Sequence, residues 1–218
     1  MKKVVFIFWA IGILHVCGQF LNNEQIINYT KPLIIPLLAL FYYHKHYKLL
    51  FLIALGGSWL GDLFLMGDGQ LFFILGILSF WVAQSCYLYL ITKEIELPLK
   101  EILFSEKSFF PILVFGSYFV VIMSLLSAKL GIFALIVSGY ALTMASIGAM
   151  SMILWRKAKD YKSLLLLLGV VLFIASDSMI AFNTFYFEEN IFQYWVMATY
   201  IPAQFLICFY FKKTNLIS

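Results

Sequence analysis

Apolar stretches of about twenty residues recur along the whole chain, and no other feature constrains the fold as strongly. As a helix, such a stretch rises about 30 Å, the thickness of a bilayer's hydrocarbon layer. The runs lie near 4–21, 32–43, 49–66, 71–91, 109–127, 130–154, 163–183 and 191–211. They predict an all-α, polytopic membrane protein: one transmembrane domain over 1–218, a bundle of about eight helices. Composition excludes the soluble alternative. Of the residues 63% are hydrophobic and 12% charged, whereas soluble domains are about a quarter charged. The polar breaks are short, and no linker or low-complexity segment divides the chain.

The opening Met1-Lys2-Lys3 followed by an apolar run has the look of a signal peptide. The seven apolar segments that follow, and the lack of a small-x-small cleavage site, favour a first helix left in place. Cys17, Cys86 and Cys208 are scattered through apolar segments with no C-x-x-C pair, which speaks against a disulfide framework or a zinc site. His44 and His46 flank Lys45 in a basic loop and His15 stands alone, so no metal is expected.

Charge sets the orientation, because cytoplasmic loops collect Lys and Arg. With eight spans, one side receives Lys2, Lys3, Lys45, Lys48, Lys93, Lys100, Lys107, Arg156, Lys157, Lys159, Lys162, Lys212 and Lys213. The other receives Lys31 and Lys129. Both termini are therefore expected in the cytoplasm. The net charge of +4 is this orientation signal and not a nucleic-acid footprint, since the bases lie in separate short loops.

Two acids fall within the expected spans, Asp62 in the third and Asp177 in the seventh. Ionisable groups in the hydrocarbon are costly and mark function. Asp62 lies fourteen residues beyond Lys48 and Asp177 fifteen beyond Lys162, rises of roughly 21 and 22 Å. Both helices run outward, so the carboxyls are level in the outer part of the membrane and are expected to share a cavity. Gly57 and Gly61 precede Asp62 in a G-x-x-x-G spacing that permits close helix contact. Ser176 and Ser178 flank Asp177. His15, Gln19 and Asn183 fall in the outer half, and Gln84 with Tyr87 and Gln204 with Tyr200 nearer the middle. Lys31 opens the short second span beside Pro32, a residue suited to a first helical turn. There it is positioned to hold a phosphate or to anchor the helix at the interface.

At this point the chain resembles the YhhN-like lysoplasmalogenase family, from about Thr30 to about Ile207. The carrying segments are Thr30-Lys31-Pro32-Leu33, Gly61-Asp62-Leu63-Phe64-Leu65-Met66, Gly76 through Tyr87, Pro111 through Met123, Phe173-Ile174-Ala175-Ser176-Asp177 with Ala181, and Tyr200 through Ile207. Gln84 stands where the family pattern often has His, and Pro202 interrupts the final segment. The resemblance implies hydrolysis of the vinyl ether bond of a lysophospholipid, giving a fatty aldehyde and glycerophosphoethanolamine or glycerophosphocholine. It implies Asp62 and Asp177 as the catalytic pair, with Lys31, Gln84, Tyr87, Ser176, Asn183, Tyr200 and Gln204 lining the substrate. No cofactor is expected. The membrane would be a bacterial inner membrane, or the endoplasmic reticulum in a eukaryote.

The chemistry of the bond fits two carboxyls. Protonating the distal alkene carbon leaves an oxocarbenium-like cation, which water attacks. Two-carboxylate glycosidases stabilise a related cation. Two other readings use the same acids. An intramembrane aspartyl protease would need a glycine where Leu60 stands, and Ile201-Pro202-Ala203 matches its third motif only faintly. A proton-coupled carrier built as a four-plus-four parallel repeat would place an acid in corresponding helices of each half.

Overall fold

The computed structural model describes residues 2–43, 47–187 and 189–214, with the backbone alone for the last two. The loop carrying His44, Lys45 and His46 lies outside the described residues. Nine α-helices are described: α1 (Lys2–Phe20), α2 (Glu24–Tyr42), α3 (Leu49–Phe64), α4 (Gln70–Glu94), α5 (Leu99–Phe104), α6 (Glu106–Leu126), α7 (Ala134–Ala158), α8 (Tyr161–Ala181) and α9 (Gln193–Thr214). Two 3₁₀ turns, Ser127–Lys129 and Gly131–Phe133, join α6 to α7, and a π-helical turn, Phe182–Phe187, extends α8. The described residues contain no strand.

Six helical segments are long and apolar enough to cross a membrane: α1, α4, α6, α7, α8 and α9 with their flanking turns. The molecule is thus an all-helical, multi-pass membrane protein. The other two expected spans are also helices, but of a different kind. α3 is apolar and 16 residues long. α2 spans 19 residues but carries Glu24, Gln25, Asn28, Thr30 and Lys31 in its first half.

Several expected boundaries are corrected. α2 begins at Glu24, not near residue 32: Asn23 caps it, its side chain accepting from the Ile26 amide at 3.1 Å, and Glu24 suits the positive end of the helix. Lys31 and Pro32 therefore lie inside the helix, about 10 Å from its start. The expected loop from Thr92 to Ser108 holds the short α5 and the capped start of α6, where Ser105 accepts from Lys107. Pro202 does not interrupt α9, which continues through it. The lengthened helices also take in Glu24, Glu94 and Glu106, but at their ends. Glu94 meets Lys48 at 2.5 Å.

Successive helices pack side by side, α1 on α2, α2 on α3, α3 on α4, then α4 on α7, α7 on α8 and α8 on α9, and α9 closes the ring against α1 and α2. α6 covers α7 from outside. The glycines before Asp62 serve the α3–α4 contact. A Cβ on Gly57 would stand 2.9 Å from the Ser79 carbonyl oxygen, and one on Gly61 2.5 Å from the Phe80 ring. The large side chains Phe8, Tyr42, Phe51, Tyr87, Phe173 and Phe211 fill the interior of the ring. A smaller cluster of Ile122, Leu126, Leu130, Val137 and Phe185 packs around the turns that join α6 to α7. Asp62 and Asp177 project inside this ring.

Candidate active site

Asp62 lies two residues from the end of α3 and Asp177 four from the end of α8, so both are within about 6 Å of the C-terminal ends of their helices. They interact electrostatically. The aromatic rings of Phe80, Phe173 and Tyr200 meet edge-on around them, with centroids 5.5–6.4 Å apart. That packing is apolar and tight, and it fixes Tyr200 by its ring while leaving its hydroxyl to a polar partner.

The partner is Asp62. The buried carboxyl accepts from the Tyr200 hydroxyl at 2.8 Å. Tyr200 accepts in turn from the Gln204 amide nitrogen at 3.2 Å, and the Gln204 amide oxygen accepts from the Tyr87 hydroxyl at 3.0 Å. Tyr200 and Gln204 are one turn apart on α9, which is why a single helix can supply both middle links. Three of the residues expected in the site therefore form a continuous hydrogen-bonded chain ending on Asp62. Lys31 is the positive charge that acts on Asp62. It is half-buried in the body of α2 and also acts on His15, whose Nδ1 meets the Thr30 hydroxyl at 2.8 Å.

Asp177 has a different setting. It is half-buried, and its free surface lines a cavity of about 60 Å³. Leu65, Ile77, Phe80 and Val137 are among the walls, and Tyr140 is its other polar lining group. The Tyr140 hydroxyl donates to the Asp177 carboxylate. Gln84, on α4, acts on Tyr140, and its amide nitrogen is buried without a hydrogen-bond partner. A water needs about 10–15 Å³ of such space, so the cavity has room for several waters or for a reacting group with one water.

Ser176 and Asn183 serve the scaffold. Ser176 donates to the Val196 carbonyl at 3.0 Å and ties α8 to α9, while Asn183 accepts from the Phe192 amide at 3.0 Å and fixes the π-helical turn. Ser178 meets the Tyr118 hydroxyl at 2.9 Å. Sequence reasoning missed Tyr118 and Tyr140. Tyr140 stands six residues into α7, about 9 Å from its N-terminal end. Depth arithmetic applied to aromatic hydroxyls as well as acids would have placed it level with Asp177. Among the described residues, no three His, Cys, Asp or Glu side chains gather as a metal site.

The arrangement supplies a carboxyl facing an apolar cavity with Tyr140 donating to it, and a second, buried carboxyl that accepts from Tyr200 and feels the charge of Lys31. Two carboxyls of unlike setting can in principle give and take protons. A family model, that of the YhhN family, matches residues 27–210. No curated protein and no solved structure matches the chain.

Proposed function

Since the chain belongs to the YhhN family, we propose that it is a lysoplasmalogenase: a hydrolase that cleaves the vinyl ether bond of a lysophospholipid within the membrane. The observation that carries this reading is Asp177, presented with Tyr140 to an apolar cavity and within electrostatic reach of Asp62. Such a cavity suits an alkenyl chain whose reacting carbon must meet a proton donor away from bulk water.

In this mechanism Asp177 is the general acid and transfers its proton to the distal alkene carbon. The cation that forms is shared between the adjacent carbon and the ether oxygen. Asp62, the ionised partner balanced by Lys31, takes a proton from the water that adds to that carbon, giving a hemiacetal. As the hemiacetal collapses, Asp62 returns its proton to the departing glycerol oxygen and Asp177 accepts one from the hemiacetal hydroxyl. Both carboxyls are restored, and one water has been consumed to give an aldehyde and an alcohol. Gln84 acts on the site through Tyr140, while Tyr200, Gln204 and Tyr87 hold Asp62 in place. The binding role of Lys31 is exerted through Asp62.

The reading includes the eight-span topology, with α2 and α3 crossing beside the six longer segments and both termini in the cytoplasm. A cysteine placed at Lys157 would then react with a membrane-impermeant thiol reagent only after the cells are opened. Reaction in intact cells would overturn the orientation. The reaction itself is tested with purified protein and 1-alkenyl-glycerophosphoethanolamine. Aldehyde and glycerophosphoethanolamine should appear in equal amounts, with a clear solvent deuterium effect if carbon protonation limits the rate. Wild-type protein that releases no aldehyde would sink the proposal.

A further inference from the structure

The same end of the bundle carries a second concavity, and it shares two lining residues with the cavity of Asp177. It is an open bowl of about 650 Å³ formed where three outer turns meet: Gly67 to Gln70, Lys129 to Phe133, and the π-helical turn at Thr184 and Phe185. Phe73 and Phe185 line both the bowl and the cavity beneath it. With Phe133 they form a triangle of rings whose centroids lie 5.6–5.7 Å apart. Below the triangle the lining is apolar apart from Tyr140 and Asp177. Above it stand a base, Lys129, and an acid, Asp68.

These two charges form no ion pair with each other. Lys129 donates to the Tyr186 carbonyl oxygen at 2.7 Å and lies 4.7 Å from the centre of the Tyr186 ring. One of its three donors is thus used to hold it at the bowl, and two remain for a ligand. Gly69 and Gly131 take positive φ values of 96° and 50° on the rim, where an added Cβ would meet nothing within 4 Å. They let the two turns bend sharply without side chains of their own over the opening.

We propose that this bowl is the headgroup subsite of a zwitterionic lysophospholipid: Lys129 takes the phosphate, and Asp68 takes the ammonium of the ethanolamine or choline. The inference rests on the reaction proposed above and deepens it. Thr184 is seven residues beyond Asp177 on the same helix, about 10 Å along the axis. Seven bonds separate the distal alkene carbon from the phosphorus in such a lipid, an extended reach on the order of 8 Å. A lipid with its phosphate in the bowl therefore brings its vinyl ether past Phe73 and Phe185 to Asp177. Lys31 lies half-buried inside α2 and acts on Asp62, so this proposal gives the phosphate to Lys129.

The test measures binding of non-hydrolysable 1-alkyl lipids by calorimetry in detergent, with Lys129→Gln, Lys129→Arg and Asp68→Asn. Lys129→Gln should weaken 1-alkyl-glycerophosphoethanolamine roughly fivefold, the scale of an exposed ion pair. It should leave the affinity for 1-alkylglycerol, which lacks the phosphate, where it was, and Lys129→Arg should restore most of the loss. Asp68→Asn should weaken the ethanolamine lipid by about twofold and spare 1-alkyl-glycerophosphate. Equal losses on lipids with and without phosphate, or no loss on either, overturn the assignment. So does displacement of the lipid by millimolar inorganic phosphate, which would mark a site for free anions. The two proposals fail separately. The expected binding pattern in a protein that cleaves no vinyl ether leaves the bowl and removes the reaction. Cleavage with binding indifferent to Lys129 does the reverse.

Discussion

The two membrane aspartates are similar in depth but opposite in surroundings. Asp62 is enclosed: α3 turns its carboxyl into a chain of side chains from α9 and α4, and Lys31 of α2 supplies the countercharge. Asp177 is presented: apart from Tyr140 the cavity it faces has apolar walls. The difference teaches that matched depth does not make two acids equivalent. One is built to be held and the other to meet something.

The strongest way to break this comparison is to remove each carboxyl. Asp177→Asn and Asp62→Asn should each lower kcat by about a hundredfold or more, with KM little changed. The double variant should be little worse than the worse single one, because the two act as a unit. A folded, inserted Asn variant turning over at the wild-type rate would end the two-carboxylate mechanism.

Removing the supporting hydroxyls sharpens the comparison. Tyr200→Phe and Tyr140→Phe each delete one hydrogen bond to a carboxylate, worth about 1.5–3 kcal/mol, so kcat should fall at least tenfold. The enclosed side should then show an effect that fades with distance. Gln204→Leu acts one link away and Tyr87→Phe two, and kcat should drop by less at each step. Equal losses along the chain would indicate collapse of the whole network.

A third test moves the wall between the two settings. A Cβ at Gly61 would lie 2.5 Å from the Phe80 ring, so Gly61→Ala should push that ring toward the cavity. Overpacking of this kind costs about 1–3 kcal/mol. KM should rise several-fold while the chain on Asp62 persists. An unaltered KM would mean that Phe80 does not shape the substrate's path.

The smallest effect concerns the other end of α8. Asp160 caps that helix, accepting from the Ser163 amide at 2.7 Å and from its hydroxyl at 2.6 Å. Those two bonds, the hydroxyl first, hold its carboxyl below the ordinary carboxylate range. A depressed value means that the cap stabilises the folded protein above about pH 4 and is lost as the pH falls further. Asp160→Ala should cost about 1 kcal/mol or less, seen as a slightly lower Tm at neutral pH and no difference in strong acid. Turnover should not change, since the cap sits more than twenty ångströms from Asp177 along the helix, roughly 1.5 Å per residue.

Much of this was legible in the sequence because lipid imposes simple rules. Hydrocarbon thickness fixes segment length, and the cost of buried charge singles out Asp62 and Asp177. The same rules hid the start of α2. Its first two turns, with Glu24, Gln25 and Asn28, are polar enough to read as a loop, yet Asn23 caps them into a helix. The chain Tyr87–Gln204–Tyr200–Asp62 was half visible, as two pairs of polar residues at one-turn spacing. The links between helices were not, because side-chain partners on α3, α4 and α9 are set by helix rotation, which periodicity alone does not fix. Tyr140 escaped for a further reason: an aromatic residue in an apolar helix costs little, so nothing in composition distinguishes the one whose hydroxyl meets a carboxylate.

The hydrogen-bonded chain on Asp62 has a sense of direction. Tyr87 donates to Gln204, Gln204 to Tyr200, and Tyr200 to Asp62. A proton hopping along such a row would have to pass through the Gln204 amide, which can give up a proton on nitrogen and gain one on oxygen only by becoming a high-energy tautomer. The row therefore behaves as an insulator for protons while its dipoles all point at the carboxyl. It can steady a charge within the membrane without opening a leak from one side to the other. That property would favour the proposed hydrolase over a proton carrier built around the same pair of acids.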